Sequence, residues 1–161
     1  LLPNYISLTM PGKIIFKPIE ARLVHNVELV GNMNPYCLFR VGEENFTNQV
    51  CKNGGLHPYW GDEVVVPVPT GSNKCVVTVR DDNVMVQEDV GSFEFDVNLL
   101  RKSGKEKNWF PLQHNAKLAG SLLLEVSYLD EPIKSEEVCD EAKILPGTFG
   151  QAATEKTDIS G

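Results

Sequence analysis

The sequence is dominated by short segments in which apolar and polar residues alternate with a period of two. The clearest segments are residues 19–23, 37–41, 64–68, 75–80, 93–97 and 122–128. Because successive side chains of a β-strand point to opposite faces, this period predicts strands that are buried on one side. Two shorter strands are expected at 46–51 and 109–112, and only residues 98–102 suggest a helix.

Turn signals separate these segments. They are Gly31-Asn32, Asn53-Gly54-Gly55, Gly71-Ser72-Asn73 and Ser103-Gly104. About eight short strands with such spacing are typical of an antiparallel β-sandwich. We therefore predict an all-β fold, an eight-stranded antiparallel β-sandwich, in one domain of this 161-residue chain.

Charge divides the chain into three parts. Residues 1–12 carry no charged side chain, residues 13–131 hold 12 basic and 16 acidic side chains, and residues 132–161 hold 3 and 6. We expect an N-terminal flank, one domain and a flexible acidic tail, in that order. The chain begins with Leu1 and lacks a secretory signal, so we expect it to be part of a longer parent protein.

Composition argues against several classes of function. A net charge of -7 is unsuited to a general nucleic-acid partner, because contact with phosphates needs a basic surface. The four cysteines include no C-x-x-C pair, which indicates reduced thiols and a cytoplasmic setting, with Cys37 and Cys75 in the core. No Gly-x-Ser-x-Gly, phosphate-loop or H-E-x-x-H motif is present, so we expect no enzymatic activity. No apolar run approaches the roughly 18 residues of a membrane-spanning helix.

Two loops combine oxygen-bearing side chains with exposed apolar ones. The first covers residues 25–36 and the second residues 81–91. If both lie at the same end of the sandwich, their side chains converge on one rim.

A series of weak motifs, in a fixed order, accompanies these loops. They are Asn34-Pro35-Tyr36, Phe46-Thr47-Asn48-Gln49-Val50, Leu56 to Glu63, Val77-Thr78-Val79-Arg80-Asp81 with Val90-Gly91, and Trp109-Phe110-Pro111-Leu112 before Gly120 to Leu129. Together, over about residues 13–131, they resemble the C2 domain family. Because no extra strand precedes Lys13, the permuted strand arrangement similar to phospholipases and novel protein kinases C is favoured.

The resemblance implies a function and a set of metal ligands. C2 domains generally bind phospholipid surfaces, many of them through calcium held by carboxylates of the two loops. Carried over by position, the ligands are Glu28, Asn34, Asp81, Asn83 and Asp89, with Glu88 or Asp82 as substitutes. Two asparagines replace carboxylates, which lowers the charge available to calcium. We therefore expect no cofactor or weakly bound calcium.

The apolar side chains of the two loops are candidates for contact with a membrane or a partner. They are Leu29, Val30 and Met33 in the first loop and Val84, Met85 and Val86 in the second. Burying two or three of them, at roughly 1.5–3 kcal/mol each, is enough to anchor a peripheral domain. Our first hypothesis is a non-enzymatic module that targets a larger protein to phospholipid membranes, and the alternative is a protein–protein interaction domain in a cytosolic assembly. Phosphoinositide binding through Arg40 and Lys52 is not expected, because Glu43 and Glu44 oppose them.

Overall fold

A computed structural model describes residues 12–28, 30–83 and 87–130. The expected flank and acidic tail therefore lie outside the described residues, except for Gly12. The described residues form eight strands and one short helix. These are β1 (Gly12–Leu23), β2 (Pro35–Val41), β3 (Glu44–Thr47), β4 (Val64–Val68), β5 (Lys74–Asp82), β6 (Gln87–Asp96), α1 (Val97–Ser103), β7 (Lys105–His114) and β8 (Lys117–Asp130).

The strands form two antiparallel four-stranded layers. Hydrogen bonds connect them in the order β3-β2-β5-β6-β7-β8-β1-β4, but a single pair, Ser92 with Gln113, joins β6 to β7. The layers are therefore β3-β2-β5-β6 and β7-β8-β1-β4. The last described strand, β8, lies between β1 and β7, which is the position that the permuted arrangement requires.

The core lies between the two layers. Phe16 of β1 stacks on Phe39 of β2 with ring centroids 4.2 Å apart, so aromatic side chains from both layers interdigitate. The inward residues of β2, β4, β5 and β8 are those that the period-two pattern predicted. Cys37 and Cys75 are both buried, and burial raises the pKa of the Cys75 thiol to about 12. The predicted core position of these two thiols is confirmed.

Two strand predictions need correction at their bounds. The strand expected at 46–51 occurs at Glu44–Thr47, and the one expected at 109–112 extends over Lys105–His114. In β7 the backbone pairs with β8 along almost its whole length, so charged residues such as Lys105 and Lys107 are held in a strand that their hydropathy does not indicate.

The predicted helix is confirmed. It begins after Asp96, whose side chain accepts a hydrogen bond from the Asn98 backbone N–H, and ends at Gly104. Among the described residues, no helix is long and apolar enough to cross a membrane.

Candidate functional site at one end of the sandwich

Four chain connections meet at one end of the sandwich, which we call the rim. They are residues 24–34 between β1 and β2, 83–86 between β5 and β6, 115–116 between β7 and β8, and 48–63 between β3 and β4, whose Asn53 and Gly55 backbone N–H groups donate to Asn34 and Met33. Strand pairing brings them together, because Pro35 pairs with Asp81 and Leu23 pairs with Gly120. The sequence predicted the first two connections and missed the third.

The third connection is a two-residue hairpin turn. Asn115 and Ala116 both have positive φ angles, 53° and 64°, as a type I′ turn requires. The turn places Lys117 and Leu118 at the rim. The asparagine between two predicted strands was the signal for this turn, but the alanine after it, where glycine is usual, obscured it.

The first loop is shaped by its own polar side chains. The Asn26 side-chain oxygen accepts a hydrogen bond from the Glu28 backbone N–H at 2.9 Å, and its amide nitrogen donates to the Gly31 carbonyl at 3.1 Å. Gly31 has a φ of 85°, which glycine adopts without strain. These bonds turn the chain outward at Val30 and back inward before Asn34.

Asn34, one of the predicted calcium ligands, fastens the first loop to its neighbours. Its side-chain oxygen accepts the Asn53 backbone N–H at 2.8 Å, and its amide nitrogen lies 3.4 Å from the Asp82 carbonyl oxygen. Its own backbone N–H donates to Asp81 Oδ1 at 2.8 Å. The Asn34 amide oxygen, which would be the calcium ligand, therefore accepts a hydrogen bond from the protein itself.

Glu28, Asp81 and Asn83 lie together, as predicted. Asp81 is fully buried, and its Oδ2 atom accepts no hydrogen bond from a donor among the described residues. The Glu28 carboxyl faces it, and its Oε2 accepts a hydrogen bond from the Asn83 amide at 2.8 Å. The pKa of Glu28 is raised, first by the neighbouring Asp81 carboxyl group and then by burial, while the Asn83 bond opposes the shift.

Glu88 and Asp89 point in different directions. Glu88 is directly opposite Asp81 in the β5–β6 pair, and its charge contributes to the raised pKa of Glu28. Asp89 is opposite Arg80 and forms an ion pair with it, with Nε and Oδ1 2.8 Å apart. Because the pairing register shifts by one residue between Val79 and Arg80, Asp81 is opposite Glu88 rather than Asp89. The structure thus favours Glu88 over Asp89 as the acid that accompanies Glu28 and Asp81.

These residues do not fit the calcium site that the resemblance implies. Calcium takes six to eight oxygen ligands and needs several carboxylates to offset its dehydration. Asn34 is engaged elsewhere, Asp89 is paired with Arg80, and Asn83 donates its amide to Glu28. In the part of the chain that the structure describes, no three Asp, Glu, His or Cys side chains are placed to hold one metal ion.

Met33 was predicted to be an exposed contact residue, and that prediction is wrong. Its side chain is fully buried in the core cluster, and its carbonyl oxygen accepts the Gly55 backbone N–H at 3.1 Å. The end of a sandwich core must be closed by an apolar side chain, and the long, flexible thioether of methionine fills such an irregular space. Leu29, Val84, Met85 and Val86, the other predicted contact residues besides Val30, lie outside the described residues.

The exposed apolar side chains of the rim come from three places. Val30 is 88% exposed at the turn of the first loop, as predicted. Val24 and Leu118, which the sequence analysis did not select, are 61% and 67% exposed. They lie close to each other because the Val24 backbone N–H donates to the carbonyl of Ala119 at 3.1 Å. The rim therefore presents aliphatic side chains from the layer β7-β8-β1-β4 and from the loop between β1 and β2.

A β-sandwich with this strand order, and with acid-bearing loops at one end, is the architecture that the resemblance to C2 domains predicted. The chain belongs to the C2 domain family, which it matches over residues 12–112. This confirms the resemblance drawn from the motifs.

Several known proteins are similar to the chain. It is 27% identical to Ingression protein fic1 of Schizosaccharomyces pombe over 124 aligned residues. The aligned segment covers 73% of this chain and 44% of that protein. It is 31% identical to extended synaptotagmin-1 of Rattus norvegicus over 110 aligned residues, and this segment covers 67% of this chain and 10% of that protein. A solved structure of two C2 domains of extended synaptotagmin 2, with calcium bound, has a TM-score of 0.62 and 25% identity, over 84% of this chain and 54% of that one. The chain thus spans less than half of the full length of the first two relatives.

Proposed function

We propose that this chain is a non-enzymatic C2 module that brings the protein containing it to phospholipid membranes, from the cytoplasm, with little or no need for calcium. The observation that carries the proposal is the exposure of Val24, Val30 and Leu118 at the rim. An aliphatic side chain gains roughly 1.5–3 kcal/mol when it leaves water, so three of them supply enough free energy for peripheral binding. C2 domains in general bind phospholipid surfaces, which is the second line of support.

The charge at the rim supports the same proposal. Asp89 is paired with Arg80 and Asp81 is buried, so fewer unpaired acids face outward than the sequence suggests. Lys117 adds a positive charge next to Leu118. The rim is therefore less repelled by lipid headgroups than its five acidic residues indicate, and it does not need a bound cation to offset them.

The lack of dependence on calcium is supported by the contacts of Asn34. Its amide oxygen accepts a backbone hydrogen bond, and Glu28, which lies near the buried Asp81 carboxyl group, has a raised pKa. We expect vesicle binding to be the same within about twofold in calcium and in chelator. A large increase in binding at micromolar calcium would contradict this part of the proposal.

A matched pair of leucines tests the rim. Leu118 is 67% exposed at the rim, and Leu99 is 64% exposed on α1 at the opposite end of the sandwich. Replacing Leu118 by aspartate removes an inserted aliphatic group and adds a charge, so binding to phosphatidylcholine vesicles is expected to fall at least about tenfold. Leu99→Asp makes the same chemical change away from the rim and is expected to leave binding unchanged.

Co-sedimentation with vesicles is the measurement, with melting temperatures to show that both variants are folded. Equal loss of binding in the two variants would indicate that the rim is not the contact surface. If the wild-type protein binds no vesicle of any composition, the membrane proposal fails and the protein–protein alternative is favoured.

A further inference from the structure

The outer face of the layer β7-β8-β1-β4 carries a concentration of basic side chains. Strand register determines which residues share this face. Lys17 of β1 and Lys107 of β7 are both opposite Glu125 of β8, so the three form one row across three strands. In an adjacent row, Lys105 and Ile15 are both opposite Ser127.

The same face continues in both directions along the strands. Towards the rim, Arg22 is opposite Ser121, and its guanidinium lies 4.6 Å from the centre of the Trp109 ring. Away from the rim, Lys13 is opposite Leu129. We call this surface the basic face and define it by its five cations. These are Lys13, Lys17, Arg22, Lys105 and Lys107.

The acids near the basic face do not cancel its charge. Glu125 and Glu20 lie on the face itself, and Glu63 precedes β4 at its border. Lys105 contacts Glu125 with Nζ and Oε2 3.1 Å apart. The pKa of Glu125 is lowered, first by this hydrogen bond and then by the charges of Lys105, Lys17 and Lys107, so the three ammonium groups surround one carboxylate. Without counting Lys13, the four other cations of the face exceed these three acids by one charge, on a chain whose net charge is -7.

The shape of the basic face favours a surface over a small ligand. Strands lie about 4.8 Å apart, so Lys17 and Lys107 are separated by about 10 Å, close to the Debye length at 0.1 M salt. The described cavities that we find are lined by residues of other parts of the sandwich, such as Asn73 and Trp60. A flat array of separated cations suits the dispersed phosphates of a lipid bilayer.

We propose that the basic face binds the surface of an anionic phospholipid bilayer while the rim contacts the same membrane. The proposal rests on the proposed membrane function and adds a second contact surface and a lipid charge preference. Arg22 lies next to Leu23 and Val24, so the basic face is continuous with the rim. The domain is then tilted, with β7, β8 and β1 towards the headgroups. Trp109, which is half-buried beneath Arg22, suits the interfacial depth at which tryptophan is enriched.

The test compares two double variants that each remove two positive charges. Lys17→Gln with Lys107→Gln alters the basic face and leaves the Lys105–Glu125 contact in place. Lys74→Gln with Lys102→Gln removes two exposed lysines at the end of the sandwich opposite the rim. Each basic residue near an anionic bilayer contributes about fivefold in affinity, so the first variant is expected to lose about 25-fold and the second almost nothing.

Binding is measured by co-sedimentation with vesicles of phosphatidylcholine alone and with about 30% phosphatidylserine, at about 0.1 M and about 0.5 M salt. We expect phosphatidylserine to strengthen wild-type binding, and the higher salt to remove this increment. Glu125→Gln, which removes the central acid, is expected to strengthen binding to phosphatidylserine vesicles about fivefold. Melting temperatures show that each variant is folded.

This experiment distinguishes a failure of the proposal for the rim from a failure of the proposal for the basic face. Leu118→Asp is expected to lose binding to phosphatidylcholine but to keep the salt-sensitive increment with phosphatidylserine. If the wild-type protein binds phosphatidylcholine and phosphatidylserine vesicles equally, or if the two double variants behave alike, the basic face is refuted and the rim stands. If the wild-type protein binds neither vesicle, both proposals fall.

Discussion

Replacing Met33 by alanine tests where the structure differs most from the sequence-based expectation. The side chain is fully buried, so the substitution leaves a cavity at the rim end of the core. Truncating a buried methionine costs about 2–5 kcal/mol in free energy of unfolding. For a domain of this size about 4 °C in melting temperature corresponds to each kcal/mol, so we expect a decrease of about 8–20 °C.

Val30→Ala is the matched control, because Val30 lies in the same loop and is 88% exposed. Exposed substitutions of this kind change stability by about 0.5 kcal/mol or less, which corresponds to about 2 °C. Circular dichroism during heating, with urea unfolding as a second measurement, separates the two variants. If Met33→Ala melts within about 2 °C of the wild-type protein, Met33 does not close the core and the described path of the first loop is wrong.

Two further substitutions test the carboxyl pair and the β1–β8 contact. Glu28→Gln is expected to raise the melting temperature at pH 7, because it removes a carboxylate that lies close to the buried Asp81. Since the pKa of Glu28 is raised on folding, the stability that its protonated form contributes is present at low pH and lost as the pH rises, so the advantage of glutamine should shrink as the pH falls towards 4.5. A gain that does not change with pH would show that the pKa of Glu28 is not raised. Gly120→Ala is expected to cost about 3 kcal/mol in urea unfolding, because its Cβ would overlap the Arg22 carbonyl oxygen at a φ of 132°. Gly61→Ala, with open space around it, should be nearly neutral, and similar costs for both would contradict the close approach of β1 and β8.

The fold was largely predictable from the sequence because the chain alternates clearly wherever a strand has one buried face. Leu122, Leu124 and Val126 of β8 show this well, since every second residue enters the core. β7 was harder to predict, because its residues Lys105 to Asn108 are all exposed and polar. Only its pairing with β8 holds that segment in a strand, and pairing between distant segments is not visible in local hydropathy.

The sequence predicted which residues form the candidate site, but not which way each of their side chains points. The sequence placed Glu28, Asp81 and Asn83 together, and the structure brings them together. It did not distinguish Glu88 from Asp89, because a one-residue irregularity in the β5–β6 pairing decides which of them faces Asp81. The burial of Met33 was unpredictable for a related reason: the loop carries several apolar residues, and the tertiary fold decides which of them closes the core.

The net charge of the chain is a poor guide to what a membrane would meet. Five of the twelve basic side chains of residues 13–131 lie on one outer face, while Asp81 is withdrawn into the core and Asp89 is paired with Arg80. Because fields from exposed charges decay over about 10 Å at 0.1 M salt, a bilayer responds to the nearest face rather than to the total charge. An acidic domain is therefore attracted to an anionic membrane in one orientation and repelled in the others. This gives the basic face a role in orientation that the aliphatic side chains of the rim, which have no preference for lipid charge, do not supply.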